Sequence, residues 1–307
     1  QLREVLVDFW LNHFNIYAFE MYTQETFVHY DRDVVRANLF GNFRTLLEAV
    51  TRSTSMLYYL DNYTNTRNGP NENWARELFE LMTLGSGNYY GVGSQSVVPQ
   101  WGAGVVWPAG TPSAGAPIPA GYVDNDVYET ARAFTGWSVS NTLGTFLYNS
   151  SNHDNFQKAV LSLGVVNIPP NQADEKDGED VLTMLAAHPG TGRHLARKLC
   201  RRLISDNPPE TLVETIGDLF TAQWQAGDQL KQVYEAILLS DEFKTTWGEK
   251  IKRPVEFSVS AMRAASPNWN FGYTSQNPLT VESDTANFLS RQTKTGHNLF
   301  ARVPPDG

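Results

Sequence analysis

Carboxylates inside an otherwise apolar helix are the first residues of this sequence that could carry out chemistry. The stretch "GPNENWARELFELMTLG" occupies residues 69–85. At roughly 100° per residue, Asn73, Glu77 and Glu80 fall on one narrow polar stripe of a helix whose surface is mostly apolar. A buried carboxylate is costly unless it is paired, hydrogen-bonded or bound to a metal ion. Two such acids lining a cleft would suit general acid–base catalysis or metal binding.

The same stripe has a purely structural interpretation. Arg76 on the same helix, Arg36 on an earlier predicted helix and Arg132 in "ETARAF" could each pair with these acids. A network of this kind would hold three helices together and leave no acid for catalysis. Both interpretations stay open on the sequence alone.

A second set of reactive side chains lies in "NHDNFQK", residues 152–158. His153, Asp154 and Lys158 are placed in a predicted loop, where polar residues have less reason to serve packing. An imidazole can act as a base or as a metal ligand near neutral pH, and a neighbouring carboxylate can select its tautomer. Facing Glu77 and Glu80 across a cleft, these residues would complete an acid–base set or a divalent-metal site. The alternative is that Asp154 only caps a solvated turn, in which case the segment has no catalytic or metal-binding role.

Other classes of site and partner are disfavoured by what the sequence lacks. There is no HExxH or CxxC motif, no twelve-residue calcium loop and no glycine-rich nucleotide motif, so we expect no nucleotide cofactor and leave any metal unidentified. The formal net charge of −9 disfavours a nucleic-acid partner, because phosphate binding needs a basic surface. No apolar run approaches the roughly 18–20 residues that span a bilayer, so the chain is not expected to be membrane-spanning.

Residues 85–123 form a long segment of Gly, Pro, Ser and aromatic residues with hardly a charge. Long segments without periodicity are usually functional loops or disordered. The flat rings of Trp101 and Trp107 could form a platform for a glycan or another chain-like ligand. They could equally fasten the loop to the apolar body of the protein, and we favour this second role.

The elements that position these residues are mainly helical. Apolar spacing predicts helices over residues 1–18, 33–50, 71–85 and 124–137, and four more between residues 178 and 266. We predict a mainly α protein, an irregular multi-helix bundle with a small β-hairpin and the long Gly/Pro/aromatic loop.

The domain organisation follows from the same pattern. We expect an N-terminal helical subdomain, residues 1–170, that contains the loop at 85–123 and a hairpin near 138–165. A C-terminal helical subdomain over residues 171–307 would continue it as one unit. The sequence opens inside a helical pattern and ends without a closing element, so we expect a chain truncated at both ends.

Seven short sequence motifs follow one another along the chain. They are "FWLNHF", "LYYLDN", "NENWARELFELMTLG", "ARAFTGW", "HDNFQK", "HPGTGRHLARKLCRRLISDNPP" and "KIKRPVEFSVSAMRA". From about residue 9 to residue 307 the chain resembles the DUF1800 family, a bacterial family without an agreed biochemical function; the loop at 85–123 departs from the family pattern. Members of the family often carry export signals and are often encoded beside the exported DUF1501 family. The resemblance therefore implies an extracytoplasmic protein, periplasmic or secreted, with a DUF1501-type exported partner.

Two classes of function remain. The first is an exported hydrolase or lyase that acts on a polymer or glycan through a carboxylate/His cleft. The second is a non-catalytic extracellular or envelope protein, structural or binding, with a buried Glu–Arg network. Convergence of the acids and the imidazole on an accessible pocket would favour the first class, and acids saturated by arginines the second. The residues assigned to the cleft are Glu77, Glu80, His153 and Asp154 as catalytic groups, and Asn73, Arg76, Arg132, Lys158, Trp101 and Trp107 as binding groups.

Overall fold

The chain folds as an irregular bundle of mostly short α-helices. The computed structural model describes residues 1–265 and 283–305. Over these residues the predicted fold class is confirmed, since helices dominate and the β-structure is a small antiparallel hairpin. The α-helices are α1 (Leu2–His13), α2 (Phe27–His29), α3 (Arg36–Asn38), α4 (Phe43–Arg52), α5 (Thr54–Tyr59), α6 (Glu72–Glu77), α7 (Asp124–Ala133), α8 (Lys176–Ala187), α9 (Pro189–Leu203), α10 (Glu210–Ala222), α11 (Gln229–Leu239), α12 (Asp241–Thr245), α13 (Pro254–Ala265) and α14 (Ser283–Lys294). Short π-helices cover Tyr30–Val35 and Leu78–Met82, and 3₁₀ turns cover Asn62–Thr64, Ser86–Asn88, Gln95–Val97 and Ser150–Asn152.

The continuous helix predicted over residues 33–50 is wrong. The chain passes from the π-helix Tyr30–Val35 into the single turn α3, and α4 begins only after Asn42. The Asn42 side chain accepts hydrogen bonds from the backbone N–H groups of Arg44 and Thr45. An asparagine in extended conformation that caps the next turn starts a new helix, which the apolar spacing alone did not indicate.

The first of the four predicted C-terminal helices is divided into α8 and α9. The division falls at His188, whose backbone is extended with φ −73° and ψ 128°. Pro189 lacks an N–H and disfavours helical backbone in the residue before it, so α8 ends there and α9 begins with the proline. His188 also caps α9, because its Nδ1 accepts the backbone N–H of Gly190 at 2.8 Å.

Aromatic rings join the N-terminal helices to the C-terminal ones. Trp10 of α1 lies with its ring centroid 5.5 Å from that of Phe14 and 6.0 Å from that of Phe43. Phe43 lies 5.3 Å from Phe220 of α10. The Trp10 Nε1–H donates to the Tyr234 hydroxyl of α11 at 2.6 Å, so its polar atom is satisfied inside the core. The first and last of these helices thus share one apolar core.

The hydrophobic core is continuous from Leu6 to Ile237. The subdomain boundary near residue 170 stays a prediction. Residues 266–282 and 306–307 of the predicted C-terminal subdomain lie outside the described residues. Within the described part of the chain, none of the helices combines the length and apolar character that crossing a membrane requires.

The long loop is an ordered, folded-back segment. The backbone N–H of Trp101 donates to the Ile118 carbonyl at 2.8 Å, and that of Trp107 to the Ala116 carbonyl at 2.9 Å. These bonds fold residues 99–119 into an irregular ladder without regular strands.

The hairpin is shorter than the predicted span of 138–165. Strand β1 (Trp137–Val139) pairs antiparallel with β2 (Phe146–Tyr148), and Trp137 lies opposite Tyr148. Residues 149–170 continue as turns and coil, with a single bridge between Lys158 and Ile168. This irregular segment carries the "HDNFQK" residues.

Candidate functional site

The acids of the polar stripe lie where an α-helix changes into a π-helix. Asn71 caps α6 by accepting the backbone N–H of Asn73 at 3.0 Å, as its position in the sequence predicts. Helix α6 ends at Glu77, and Leu78–Met82 is π-helical. Because a π-helix bonds residue i to i+5, the 100° spacing that placed Glu77 and Glu80 on one stripe does not hold across this junction.

Both acids are partly buried and share the surroundings of Tyr122. Burial raises the pKa of the Tyr122 hydroxyl well above its usual value, and the negative charges of Glu80 and Glu77 raise it further. Among the residues that the structure describes, Glu80 forms neither a hydrogen bond nor an ion pair. Asn73 is exposed, and its amide donates to the Leu60 carbonyl at 3.3 Å.

The arginines predicted as partners of these acids bind other carboxylates. Arg76 pairs with Glu72 at 3.1 Å and with Asp124 at 3.2 Å. Arg36 forms ion pairs with Glu4 and Asp31, each at 2.9 Å. Both arginines are thus paired with carboxylates outside the polar stripe.

His153 is buried, and both of its ring nitrogens face protein acceptors. Its side chain is 2% exposed. Nδ1 lies 2.8 Å from the Thr135 carbonyl oxygen, which can only accept, so Nδ1 carries a proton. Nε2 lies 3.2 Å from Oδ2 of Asp177, in the first turn of α8. The imidazole has no nitrogen left for a substrate in this arrangement.

Lys158 is held by three acceptors beneath the surface. Its side chain is fully buried, and Nζ donates to the carbonyl oxygens of Asp154 at 2.6 Å and Phe156 at 2.8 Å. The third bond, 2.5 Å long, goes to the same Oδ2 of Asp177 that faces His153. Three donors and three acceptors make this ammonium group fully satisfied.

Asp177 and Asp154 are both stabilised as carboxylates. Burial by itself raises the pKa of Asp177, but hydrogen bonds from His153 and Lys158 outweigh burial and hold the pKa below its usual value. Burial likewise opposes ionisation of Asp154, whose pKa is lowered by the Arg132 guanidinium. Arg132 binds both Asp154 oxygens, with Nε–Oδ2 2.8 Å and Nη2–Oδ1 3.1 Å. A carboxylate paired in this way is a weak base.

The arginine that binds Asp154 also binds a second acid. Nη1 of Arg132 lies 2.8 Å from both oxygens of Glu129, one turn earlier on α7. The five residues Arg132, His153, Asp154, Lys158 and Asp177 form a connected polar group, which we call the His153 cluster. Four of its members are predicted from the sequence, whereas Asp177, which lies 24 residues from His153 in the chain, is not. Its position in the acidic first turn of α8 was the only available signal.

The His153 cluster and the acids of the polar stripe lie toward opposite ends of α7. Asp124, which binds Arg76, begins α7, and Arg132, which binds Asp154, lies near its end. Eight residues separate the two, or about 12 Å at roughly 1.5 Å per residue. The structure thus brings His153, Asp154, Lys158 and Arg132 together, and it does not bring Glu77 and Glu80 into that group.

A surface depression lies directly over the His153 cluster. It has a volume of about 480 Å³. Its lining residues are Arg67, Asn68, His153, Asp154, Asn155, Phe156, Pro170 and Asn171. We call this the HDN depression, and its exposed members other than His153 and Asp154 form its rim.

The rim side chains differ from the floor in having no partner among the described residues. Over the described residues, the amides of Asn68, Asn155 and Asn171 and the guanidinium of Arg67 form no hydrogen bonds or ion pairs. Phe156 is 75% exposed. Sequence analysis did not select these residues, although "TRNGP" and "HDNF" combine turn formers with an exposed aromatic. The floor is saturated and the rim is free, so a ligand would be bound by the rim.

Backbone hydrogen bonds hold the three rim segments together. The Arg67 N–H donates to the Asn152 carbonyl at 2.8 Å, and the Asn171 N–H to the Asn155 carbonyl at 2.9 Å. Gly136, in "AFTGW", has a φ of +84°, and a Cβ there would lie 2.5 Å from the Asn149 carbonyl oxygen. A glycine is needed at this position because the chain runs this close behind the depression.

The loop tryptophans lie elsewhere, around His188. The ring centroids of Trp101 and Trp107 lie 5.7 and 5.5 Å from that of His188. Trp107 is 1% exposed, and Trp101 is partly buried against the core. Burial lowers the pKa of His188 to about 4, and the neutral ring donates through Nε2 to the Pro119 carbonyl at 2.9 Å. These rings fasten the loop to the body of the protein in the way that sequence analysis favoured.

A bound metal ion needs several His, Cys, Asp or Glu side chains close together. No set of three or more such side chains among the described residues has a suitable arrangement. The His153 cluster offers one imidazole and two carboxylates, but Lys158 and Arg132 occupy the positions that a cation would take.

No curated protein and no solved structure matches this chain. A family profile described as "Protein of unknown function (DUF1800)" matches residues 1–307, so the resemblance predicted from the seven motifs is confirmed. With all 307 residues matched, the chain belongs to the DUF1800 family.

Proposed function

We propose that this protein is a non-catalytic binding protein whose ligand is a glycan or a similar polyhydroxylated polymer held in the HDN depression. The observation that carries the proposal is the contrast between floor and rim. The floor groups are hydrogen-bonded to protein partners, whereas three amides, a guanidinium and an aromatic ring of the rim have no partner among the described residues.

The free groups suit a sugar-like ligand. Asparagine amides both donate and accept, which matches the hydroxyl groups of a sugar. An exposed phenyl ring supplies an apolar face for the C–H side of a sugar ring. The volume of about 480 Å³ falls in the range of roughly 300–1,000 Å³ typical of small-molecule sites and has room for a short oligosaccharide.

The saturated floor supports binding over catalysis at this position. A general base must reach the proton that it removes, at roughly 2.6–3.2 Å. The nitrogens of His153 and the oxygens of Asp154 already lie at such distances from protein partners. The His153 cluster then serves to keep the rim segments in a fixed arrangement, which lowers the entropic cost of binding.

The location and partner of the protein are part of the proposal. The family resemblance supports a bacterial, extracytoplasmic protein, periplasmic or secreted, that acts with a DUF1501-type exported protein. Co-purification of the two proteins from a strain that encodes both would test the partnership, and separate elution at all concentrations would contradict it.

Isothermal titration with a panel of soluble oligosaccharides tests the binding function. At least one oligosaccharide should bind the wild type. Asn155→Ala and Phe156→Ala should each weaken that binding about fivefold or more, because each removes a contact worth roughly 1 kcal/mol. Asn141→Ala and Phe257→Ala are matched controls, since both residues are exposed and neither lines the depression. Equal effects of rim and control variants would contradict the proposal.

A second candidate function, an exported hydrolase or lyase, is favoured by Glu80. This partly buried carboxylate has no partner among the described residues and lies near Tyr122, outside the His153 cluster. Release of reducing ends or of unsaturated products from polysaccharides should then be abolished by Glu80→Gln. The exposed Glu20 provides the control variant Glu20→Gln. Absence of product with the wild type on every substrate that binds would exclude this candidate.

A further inference from the structure

The guanidinium of Arg67 is an exposed cation that lines the HDN depression. Arg67 is exposed on the turn between residues 66 and 69, and no acidic side chain among the described residues lies within ion-pair distance of it. The neighbouring cations differ, because Arg132 is bound to Asp154 and Lys158 to Asp177.

We propose that the ligand of the HDN depression is acidic, a uronate-containing glycan whose carboxylate is bound by Arg67. This inference rests on the proposed binding function and names its substrate class. A guanidinium presents parallel N–H donors that match the two oxygens of a carboxylate, and such charge-assisted pairs are stronger than neutral hydrogen bonds. The amides of Asn68 and Asn155 would bind the hydroxyls beside it.

The acids beneath the depression are paired with cations of the protein. Asp154 is the acid that lines it, and both of its oxygens accept hydrogen bonds from Arg132, which also binds Glu129. Asp177 lies deeper, 3% exposed, and is compensated by Lys158. Arg67 is the exposed cation among the lining residues, so it is the group that an incoming carboxylate would bind.

The charge of the whole chain limits how acidic the ligand can be. With a net charge of −9, the protein repels a dense polyanion at low ionic strength. A single free guanidinium matches a single carboxylate. Both facts fit a glycan whose acidic sugars alternate with neutral ones, or a chain end that carries one uronate, better than a fully sulfated or fully acidic polymer.

Titration calorimetry with paired ligands tests the inference. Short oligomers of galacturonate, glucuronate and mannuronate are each compared with their methyl-esterified forms, which keep the hydroxyl groups and lose the charge. For at least one pair, the acidic form should bind the wild type tenfold or more tightly than the ester. This difference should shrink as salt is raised, because the pair is at the surface.

Variants of Arg67 separate charge recognition from other roles. Arg67→Ala should remove the preference for the acidic form and leave binding of the ester within about twofold. Arg67→Lys should keep part of the preference, since a lysine retains the charge without the planar fork. Arg3→Ala is the matched control, because Arg3 is also exposed but lies on α1, outside the depression.

The outcomes distinguish this inference from the proposed function. Equal binding of acid and ester, or equal loss of both in Arg67→Ala, would overturn the acidic ligand and leave glycan binding standing. No binding of any oligomer, acidic or neutral, would overturn the proposed function together with the inference. A sulfated oligomer that binds more tightly than every uronate would also contradict the assignment of a carboxylate.

Discussion

Removal of the buried ammonium group of Lys158 is the sharpest test of the His153 cluster. Lys158→Met keeps the approximate length of the side chain and deletes three hydrogen bonds. The carbonyl oxygens of Asp154 and Phe156 then lose this donor, and the Asp177 carboxylate, 3% exposed, loses its nearest cation.

The expected cost follows from the geometry. Breaking a buried ion pair by removing one partner costs about 3–5 kcal/mol, because the remaining charge stays buried and uncompensated. His153 still faces Asp177 at 3.2 Å and offsets part of this cost. We therefore expect the free energy of unfolding to fall by about 3 kcal/mol, near the lower end of that range.

Urea denaturation followed by far-ultraviolet circular dichroism measures this change. Lys231→Met serves as the control, because Lys231 also pairs with an acid, Glu235, but the two side chains are 55% and 57% exposed. Exposed ion pairs contribute about 0–1 kcal/mol, so the control should lie close to the wild type.

A result within about 1 kcal/mol of the wild type for Lys158→Met would refute the argument. It would mean that the ammonium group contributes little beyond what a methionine side chain supplies by packing. The rigid floor assumed for the HDN depression would then lose its support, and the rim segments would need another source of order.

Other perturbations test the remaining parts of the argument. The folded-state pKa of Asp177 lies below the unfolded value of about 3.9. Its ionisation therefore stabilises the protein above that pH, and this stabilisation is lost as the pH falls through the folded-state pKa. Urea midpoints measured at pH 7, 4 and 3 should decline more steeply for the wild type than for Asp177→Asn. Gly136→Ala should lower the free energy of unfolding by about 2 kcal/mol or more, because the added Cβ would lie 2.5 Å from a carbonyl oxygen. Gly144 also has a positive φ but lies in open space, so Gly144→Ala should lower it by about 1 kcal/mol. Thermal or urea unfolding measures both values. Trp107→Ala should destabilise the protein by about 3–5 kcal/mol, because a buried ring is lost. Trp247 is 94% exposed, so Trp247→Ala should destabilise it by less than about 0.5 kcal/mol. Similar values for the two variants would mean that Trp107 does not fasten the loop.

The candidate site was predictable only in part. "HDNFQK" marked His153, Asp154 and Lys158 because polar residues in a loop stand out without any knowledge of the fold. Asp177 completes the cluster from α8, and nothing local distinguishes it from other acids at helix starts. Arg67 and Asn171 line the same depression although they lie 104 residues apart in the chain. Such proximity is a long-range contact that no local pattern encodes.

The sequence by itself determined the mainly α fold, the capped start of α6 and the aromatic loop, and it identified the family. These features depend on residue periodicity, on capping side chains and on strings of adjacent residues, all of which act over a few positions. Tertiary structure decided the π-helix that separates Glu77 from Glu80, the partners of each arginine and the free rim over a saturated floor. These depend on which surfaces pack together, because the carboxylate that an arginine binds is the one that the fold brings within reach.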